Sequence, residues 1–356
     1  MKTAIVMGTR PEIIKLAPII QNTSKRNCEI IFTGQHYDYQ MGLKFVDQLG
    51  LRKPDHLLTT SKSFSSKQIG QTITKLSSVL QETKPDTVIV QGDTNTVLAA
   101  SICSLKLNIP ISHVESGLRS FDWRMPEEHN RICTDHISEL LFAPTNNAKS
   151  NLISERVHGK IFVTGNTVLD SIRQHSKIAT KKSSLSIDDE DFILLTLPRA
   201  ENVDDKKTLS TIIKAVSTSN KKIIFPIHPR TQRRLKEFNL LHKLKTSKKI
   251  ALLGATGYFE MLELMKKCSF IITDSGGIQE ESTAPQIRKK TFVIRKTTDR
   301  PEAVEAGFSN LVGTNYEKIV HAIKYGDTYR VPKKRSPYGR GFSAKTIISH
   351  IRKNIN

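Results

Sequence analysis

Residues 270–281 have the sequence FIITDSGGIQEE, which indicates the fold class of the chain. Its first four residues form an apolar run that predicts a buried strand, and Ser275 suits the N-cap of a helix that begins at the paired glycines. A buried strand that turns through glycines into a helix is the repeating unit of a doubly wound parallel sheet. The stretch therefore predicts an α/β fold.

Similar apolar runs, separated by helix-compatible segments, occur along the rest of the chain in two series. The first series lies at 4–7, 30–33, 87–90, 111–114, 140–143 and 161–164, and the second at 192–196, 223–227, 250–253, 270–273 and 291–294. Two such series predict two Rossmann-like domains, each built on a doubly wound parallel sheet. A chain of 356 residues is also longer than one hydrophobic core usually serves.

The two series place the join between the domains near Gly165-Asn166-Thr167. We therefore divide the chain into an N-terminal domain at 1–168, a C-terminal domain at 169–340 and a final helical segment at 341–356. The polar stretch Lys181–Asp189, rich in lysine and serine, is typical of a surface excursion.

Neither a membrane span nor an export signal is predicted. No apolar run approaches the roughly 18 residues that span a bilayer, and the first apolar segment, at 3–7, is too short for a signal peptide. The four cysteines are far apart and form no Cys-x-x-Cys pair, which is typical of reduced thiols. These features predict a cytoplasmic protein that does not insert into a membrane.

The positive charge is concentrated in the second half of the chain. Residues 171–356 hold 36 of the 55 Lys and Arg but only 18 of the 34 Asp and Glu. Such asymmetry fits a domain that grips an anionic ligand, although basic runs such as Lys333-Lys334-Arg335 are commonly solvated surface. Charge alone leaves nucleic-acid binding open. Only 6% of residues are aromatic, and no aromatic-basic interleaving occurs, so no nucleic-acid partner is predicted.

The stretch at 270–281 also predicts an anion site. Backbone N–H groups at Gly276 and Gly277 can approach a diphosphate at the positive end of the helix dipole. Glu281 can accept hydrogen bonds from ribose hydroxyls, and Arg300, beyond the next strand, offers a cation. A plain Gly-Gly turn is the alternative interpretation.

A weaker phosphate motif follows the first strand. Gly8 permits a sharp turn and Pro11 suits a first helical turn. Arg10 and Lys15 could then reach a phosphate at the mouth of the sheet, although a plain strand-to-helix turn explains the same residues. No Gly-x-Gly-x-x-Gly sequence follows any strand, so a tightly held dinucleotide such as NAD is not predicted.

Three acidic segments follow strands of the first domain, at 92–94, 113–119 and 125–131. Ligands bind outside the carboxyl ends of such strands, so these carboxylates could converge on one crevice, although singly each is commonly a cap or turn residue. Crowded carboxylates can divide into acid and base, which proton transfer at carbon requires. Metal binding is the rival use, but no histidine-rich spacing accompanies them, so neither a metal nor a cofactor is predicted.

Together, five motifs resemble the non-hydrolysing UDP-N-acetylglucosamine 2-epimerases. They are Gly8–Glu12, Gln91–Thr96, His113–Arg119, Pro126–Arg131 and Asp274–Glu281, and they stand at family spacing over nearly the whole chain. The resemblance implies a fold of the glycosyltransferase B type, with a cleft between two Rossmann-like domains and the last helix crossing back to the first. It also implies a homodimer that makes UDP-N-acetylmannosamine for cell-surface glycans.

By this resemblance Asp93, Glu115 and Glu127 are the catalytic carboxylates. The implied substrate-binding residues are Arg10, Lys15, Arg199, Glu201, His228, Ser275, Gly276, Gly277, Glu281 and Arg300. The implied reaction eliminates UDP and adds it back through 2-acetamidoglucal. This order is chemically consistent, because the C2 proton is not next to a carbonyl and becomes acidic only once UDP leaves C1.

The chain departs from the family pattern at two places. The family sequence His-Arg-x-Glu-Asn is represented here by Pro198–Asn202, so proline stands where the family has an active-site histidine. A second family segment, linked in many bacterial members to activation by substrate, is represented by Gln35–Met41 with a different sequence. That regulation is therefore not predicted.

Three alternatives stay open. The chain could be a glycosyltransferase of the same fold, an epimerase of another UDP-2-acetamido sugar such as a diacetamido-uronate, or a basic binding protein without chemistry. A transferase needs an acceptor to release UDP, whereas a binding protein would leave the three acidic segments without a purpose.

Overall fold

The computed structural model describes residues 1–34, 39–59, 64–183, 185, 191–254 and 256–355. The chain forms two compact units, the first made of Met1–Ser171 with Tyr338–Asn356 and the second of Ile172–Pro337. Each unit contains one parallel sheet. The predicted α/β fold with two parallel-sheet domains is therefore confirmed.

Two segments that the sequence singled out fall partly outside the described residues. They are Gln35–Asp38 of the segment Gln35–Met41, and most of the stretch Lys181–Asp189. In the described part of the chain, no helix combines the length and apolar character that crossing a membrane requires.

The first unit is built on a seven-stranded sheet with the strand order β3-β2-β1-β4-β5-β6-β7. Its strands are β1 Thr3–Met7, β2 Cys28–Phe32, β3 His56–Leu57, β4 Thr87–Gln91, β5 Ile111–Val114, β6 Leu140–Ala143 and β7 Lys160–Val163. Its helices are α1 Arg10–Gln21, α2 Tyr39–Gln48, α3 Ser65–Thr83, α4 Asn95–Lys106, α5 Pro126–His136 and α6 Asn146–Ser154. Helix α7, Thr167–Lys182, begins in this unit.

The second unit is built on a six-stranded sheet with the order β10-β9-β8-β11-β12-β13. Its strands are β8 Phe192–Thr196, β9 Lys222–Pro226, β10 Ile250–Leu253, β11 Phe270–Thr273, β12 Thr291–Val293 and β13 Ser309–Leu311. Its helices are α8 Ala200–Val203, α9 Lys206–Val216, α10 Pro229–Glu237, α11 Leu241–Lys245, α12 Tyr258–Lys267, α13 Gly276–Glu281, α14 Pro301–Glu305 and α15 Tyr316–Tyr325.

All eleven strands that the apolar runs predicted are present, with bounds that differ by at most two residues. Strands of a parallel sheet are covered on both faces, so they read as continuous apolar runs, and every residue of β1 and β8 is buried. Two of the four edge strands, β3 and β13, were not predicted. They are only two and three residues long and partly exposed, so they leave no apolar run in the sequence.

In both sheets the strand order reverses at one point, between β1 and β4 in the first unit and between β8 and β11 in the second. Crossover helices leave in opposite directions from such a switch point, which opens a crevice outside the carboxyl ends of the strands. Each unit therefore has its own place for a ligand. The motifs at Gly8–Glu12 and Gln91–Thr96 follow β1 and β4, whereas those at Pro198–Asn202 and Asp274–Glu281 follow β8 and β11.

The last helix, α16 (Ser343–Asn354), belongs to the first unit and packs on α1. The buried carboxylate of Asp170 accepts hydrogen bonds from the backbone N–H groups of Ser343 and Ala344, both at 3.0 Å. The N–H groups in the first turn of a helix have no partner within the helix. Asp170 therefore anchors the start of α16 to the first unit.

We expect Asp170→Ala to lower the free energy of unfolding of the first unit by about 1–3 kcal/mol, because two buried N–H groups lose their acceptor. Urea unfolding followed by circular dichroism measures this change. Asp170→Asn, which keeps one acceptor oxygen, should lose less than Asp170→Ala. Equal stability of the alanine variant and the native chain would contradict the anchoring role.

Candidate functional site

The turn after β1 is held by the buried carboxylate of Glu12. This carboxylate accepts hydrogen bonds from the backbone N–H of Gly8 at 2.5 Å, from the Thr9 hydroxyl at 3.0 Å and from the Thr94 hydroxyl at 2.6 Å. Burial raises the pKa of Glu12 to about 7, against the lowering effect of these hydrogen bonds. Glu12 thus links the turn after β1 to the turn after β4, on which Asp93 lies.

The two cations of α1 that were predicted to reach a phosphate have different surroundings. The guanidinium of Arg10 lies 4.5 Å from the centre of the Phe45 ring. Lys15 is buried, and its ammonium group forms an ion pair with the carboxylate of Glu115. One predicted substrate ligand is therefore bound to a predicted catalytic carboxylate.

Asp93 follows β4 and is held by two residues of α5. Its carboxylate accepts hydrogen bonds from the guanidinium of Arg131, including one from Nε at 3.2 Å. The side-chain amide of Asn130 donates to the backbone carbonyl of Asp93 at 2.9 Å. The position of Asp93 is thus fixed through both its side chain and its backbone.

Glu115 follows β5 and has an unusual backbone conformation. Its φ of 69° lies in the left-handed region, which residues other than glycine rarely adopt and which is concentrated at functional sites. Its carboxylate accepts a hydrogen bond from the Asn166 amide at 2.9 Å in addition to the ion pair with Lys15. The strained backbone directs this carboxylate towards Lys15 and Asn166.

Glu127 and Glu128 are adjacent in the first turn of α5 but differ in their surroundings. Glu127 is half-buried, and its side chain has no hydrogen-bond or ion-pair partner among the described residues. Its neighbour Glu128 is buried and accepts hydrogen bonds from the backbone N–H groups of Ser120 and Phe121. Glu127 is three and four residues before the side chains that hold Asp93, which places it on the same face of the helix.

The loop between β5 and α5 carries two exposed aromatic side chains. Phe121 is 76% exposed and Trp123 is 67% exposed. The Trp123 carbonyl lies 2.8 Å from Nε2 of His129, and the centres of the Trp123 and His129 rings are 4.9 Å apart. The loop is therefore attached to α5 at both ends, by Glu128 and by His129.

A buried network that the sequence analysis did not predict lies beneath these loops. His113 contacts Asp135 through Nδ1 at 2.7 Å and the Gly92 carbonyl through Nε2 at 2.8 Å. Asp135 also accepts hydrogen bonds from the Gly117 N–H at 3.0 Å and from Arg119 at 2.8 Å. Burial opposes ionisation of Asp135, but His113 and Arg119 hold its pKa below the usual value. The sequence signal was limited to His113 and Arg119, which lie in the motif that supplied Glu115, whereas Asp135 lies outside the motifs.

In the second unit, Ser275 caps α13 as predicted, with its hydroxyl facing the Ile278 N–H. The hydroxyls of Thr196 and Thr273 are 2.6 Å apart and join the ends of β8 and β11, and Thr273 also accepts from the Ser275 N–H at 2.9 Å. A side chain at Gly276 would meet Asp299 at 3.3 Å and the Arg199 guanidinium at 3.5 Å. The glycine therefore allows these groups to approach the backbone closely.

Arg199 and Arg300 both lie against the Gly276 turn. Arg300 is buried and donates to the carboxylate of Glu280 and to the Asp299 carbonyl. Arg199 is more exposed, and its guanidinium is 3.8 Å from the Asp299 carboxylate. Buried carboxylates thus hold two guanidinium groups beside the backbone N–H groups of the turn.

Two further pairs in this unit were not predicted. Glu201, a predicted substrate ligand, accepts a hydrogen bond at 2.7 Å from Arg295, whose side chain is fully buried. Asn202 donates to the carboxylate of Asp274 at 2.9 Å, and burial raises the pKa of Asp274 to about 7. Arg295 and Asp274 thus hold the side chains of Glu201 and Asn202, which both lie on α8.

The remaining predicted ligands of this unit are at the same edge of the sheet. His228 follows β9 and is the N-cap residue of α10. Its Nδ1 accepts a hydrogen bond from the Arg230 N–H at 3.2 Å. Glu281 is the last residue of α13, and its carboxylate would lie 3.9 Å from a side chain at Gly277. The structure therefore groups the predicted residues into a carboxylate set in the first unit and a set with cations and N–H groups in the second.

The chemistry of the two sets differs. Asp93, Glu115 and Glu127 can accept or donate protons, and each has a different partner environment. The groups around Gly276 combine positive charge with a glycine-rich turn, which is an arrangement that binds phosphate groups. The sequence predicts proton transfer in the first unit and most of the anion binding in the second, with Arg10 and Lys15 of the first unit as further phosphate ligands, and this division stays a prediction.

Comparison with known proteins identifies the family that combines these features. A family model for UDP-N-acetylglucosamine 2-epimerase matches residues 19–352. The UDP-N-acetylglucosamine 2-epimerase of Methanocaldococcus jannaschii is 46% identical to this chain over 98% of each protein. The UDP-2,3-diacetamido-2,3-dideoxy-D-glucuronate 2-epimerase of Pseudomonas aeruginosa is 34% identical over 99% of this chain and 100% of that protein.

The fold agrees with the same family. A crystal structure of the M. jannaschii UDP-GlcNAc 2-epimerase in complex with UDP-GlcNAc and UDP matches this chain with a TM-score of 0.91 and 44% sequence identity. The match covers 99% of this chain and 100% of that chain. The motif resemblance is therefore confirmed, and this chain belongs to the UDP-N-acetylglucosamine 2-epimerase family of isomerases.

Proposed function

We propose that this enzyme interconverts UDP-N-acetylglucosamine and UDP-N-acetylmannosamine by inverting the configuration at C2. The observation that carries the proposal is the carboxylate set of the first unit. Asp93 and Glu115 follow the neighbouring strands β4 and β5, and Glu127 lies on the helix that holds Asp93. Inversion at carbon needs a group that removes a proton and another that returns one, which such a set supplies.

The reaction proceeds by elimination and re-addition. The C1–O bond to UDP breaks, and its electron pair leaves with UDP. A carboxylate then takes the C2 proton, and the C2–H electron pair forms the C1=C2 double bond of 2-acetamidoglucal. Return of a proton to the opposite face of C2, with re-addition of UDP at C1, completes the inversion. No electrons are exchanged with a cofactor, so the reaction needs no NAD.

The second unit holds the UDP group. Arg199, Arg300 and the N–H groups at Gly276 and Gly277 receive the diphosphate, and Glu281 binds the ribose. Preorganised positive groups stabilise the charge that develops on the leaving UDP. The buried carboxylates of Asp299 and Glu280 keep the arginines in place between turnovers.

The biological setting follows from the family resemblance. We propose a cytoplasmic homodimer whose product supplies cell-surface polysaccharide synthesis. A second candidate substrate is a UDP-2,3-diacetamido-uronate, because a relative with that activity is similar to this chain over its whole length. Parallel incubations with both nucleotide sugars distinguish the two.

We expect the native enzyme, incubated with UDP-N-acetylglucosamine in deuterium oxide without NAD, to yield UDP-N-acetylmannosamine that carries deuterium at C2. Deuterium enters because the proton returned to C2 comes from a group that exchanges with solvent. Proton NMR of the product measures the loss of the C2 signal. A product that retains the original C2 hydrogen would contradict elimination and re-addition.

We expect Asp93→Asn to lower turnover by at least about 100-fold, the usual scale for a lost acid or base. The affinity for UDP, measured by calorimetry, should stay close to that of the native enzyme, because the proposed UDP ligands belong to the other unit. Asp122→Asn, in the exposed loop before α5, serves as a control with the same chemical change. Near-native turnover of Asp93→Asn would remove Asp93 from the chemistry.

Proline at position 198 cannot transfer a proton and has no N–H to donate. The adjacent Arg199 lies against the Gly276 turn, and His228 follows β9, the neighbour of β8 in the sheet. We propose that these two residues supply the positive charge and the hydrogen bonds that the family histidine would provide.

On this basis the native enzyme should be active, and Pro198→His should change turnover by less than about 3-fold. Arg199→Met and His228→Ala should each lower turnover by roughly 100-fold, the scale of one lost transition-state contact. Steady-state kinetics of the four proteins on one substrate makes the comparison. A large gain from Pro198→His would show that neither neighbour has replaced the histidine.

A further inference from the structure

The buried pair of Lys15 and Glu115 places a cation where the sequence predicted a phosphate ligand. Their side chains are only 8% and 7% exposed, and the Lys15 ammonium is hydrogen-bonded to Oε2 of Glu115. The Asn166 amide donates to the same oxygen at 2.9 Å. Removing either charge from a buried pair leaves the other uncompensated, so the position of each side chain depends on its partner.

The backbone of Glu115 is fixed independently of its side chain. The N–H groups of Glu115 and Ser116 both donate to the Phe142 carbonyl, at 3.1 and 3.2 Å, and the Gly117 N–H donates to Asp135 at 3.0 Å. These bonds maintain the left-handed conformation at Glu115. The backbone therefore sets the direction in which the side chain leaves, and Lys15 and Asn166 set where the carboxylate ends.

Lys15 differs in this respect from the other cations that the sequence assigned to UDP. Arg10, one turn earlier on α1, is half-buried over an aromatic ring. Arg199 and Arg300 lie against the Gly276 turn in the other unit. Of these four cations, it is Lys15 that forms an ion pair with a proposed catalytic carboxylate, Glu115.

We infer that Lys15 is a positioning residue, which acts on the reaction through Glu115 by holding its carboxylate in one orientation, and which does not bind the UDP phosphates. The inference rests on the proposed function. In the elimination step, the C2 proton moves to the Glu115 carboxylate as an O–H bond forms and the C2–H bond breaks. Lys15 keeps its own protons throughout. Asn166 restricts rotation of the carboxylate by donating to the oxygen that Lys15 also contacts.

The test compares Lys15→Met, Lys15→Arg and the native enzyme by steady-state kinetics and by calorimetry with UDP. Lys15→Met should lower kcat by at least about 10-fold, since small misplacements of a catalytic group cost up to roughly 100-fold. KM and the Kd for UDP should change by less than about 2-fold. Lys15→Arg, which keeps the charge, should recover a substantial part of kcat.

Lys2→Met is the matched control, because Lys2 forms a partly exposed ion pair with Glu29 in the same unit and its substitution should leave kcat unchanged. Thermal unfolding shows whether each variant folds. If Lys15→Met does not fold, Lys15→Gln, which retains a hydrogen-bond donor, replaces it with the same expected pattern.

A Kd for UDP at least about 10-fold weaker in the folded methionine or glutamine variant would overturn the inference and restore Lys15 as a phosphate ligand. An unchanged kcat would overturn it as well. Either of these two results, obtained beside a native enzyme that is active, would leave the proposed function intact. A native enzyme that converts no UDP-2-acetamido sugar would instead overturn the proposed function, and the inference with it.

Discussion

The carboxylate set of the first unit depends on the ion pairs of Arg131. This buried guanidinium contacts Asp93 after β4 and, at 2.7 Å, Glu128 in its own helix. Glu128 in turn holds the backbone of the loop that leads into α5. One side chain therefore connects a proposed catalytic carboxylate, the helix that carries a second one and the loop that precedes that helix. Without this cation, two buried or half-buried carboxylates would face each other uncompensated.

Near its C-terminal end, α5 also contacts the loop that carries Glu115, the third carboxylate of the set. Asp135, in the last turn of α5, contacts His113 on β5 and the Gly117 N–H that follows Glu115. Helix α5 thus holds the loops after β4 and β5 through Arg131 and Asp135, which are about one helical turn apart. Buried charges are costly unless paired, and Asp93, Glu128 and Asp135 each have a cation or N–H partner in this network. The result is a rigid frame that presents carboxylates with different partners.

The sequence predicted the elements that leave a local signal. Strands such as β1 and β8 are continuous apolar runs because both faces are covered, whereas β13 is an edge strand of three residues that is partly exposed. The positions of Asp93, Glu115 and the Ser275 turn at strand ends were likewise predictable, since parallel strands end at one edge. The partners of these residues were not. Lys15 and Glu115 are 100 residues apart in sequence, so their pairing depends on sheet order and side-chain direction, which motif spacing does not specify.

The loop before α5 also gives the enzyme an optical property. Trp123 is the single tryptophan of the chain, and it lies four residues before Glu127 with its ring exposed beside His129. Tryptophan emission from this protein therefore originates at one known place, the loop that leads into the helix of Glu127. Changes in the solvation of that loop, or in the protonation of the neighbouring imidazole, can be followed in the unlabelled native enzyme, in real time and without a background from other indole groups.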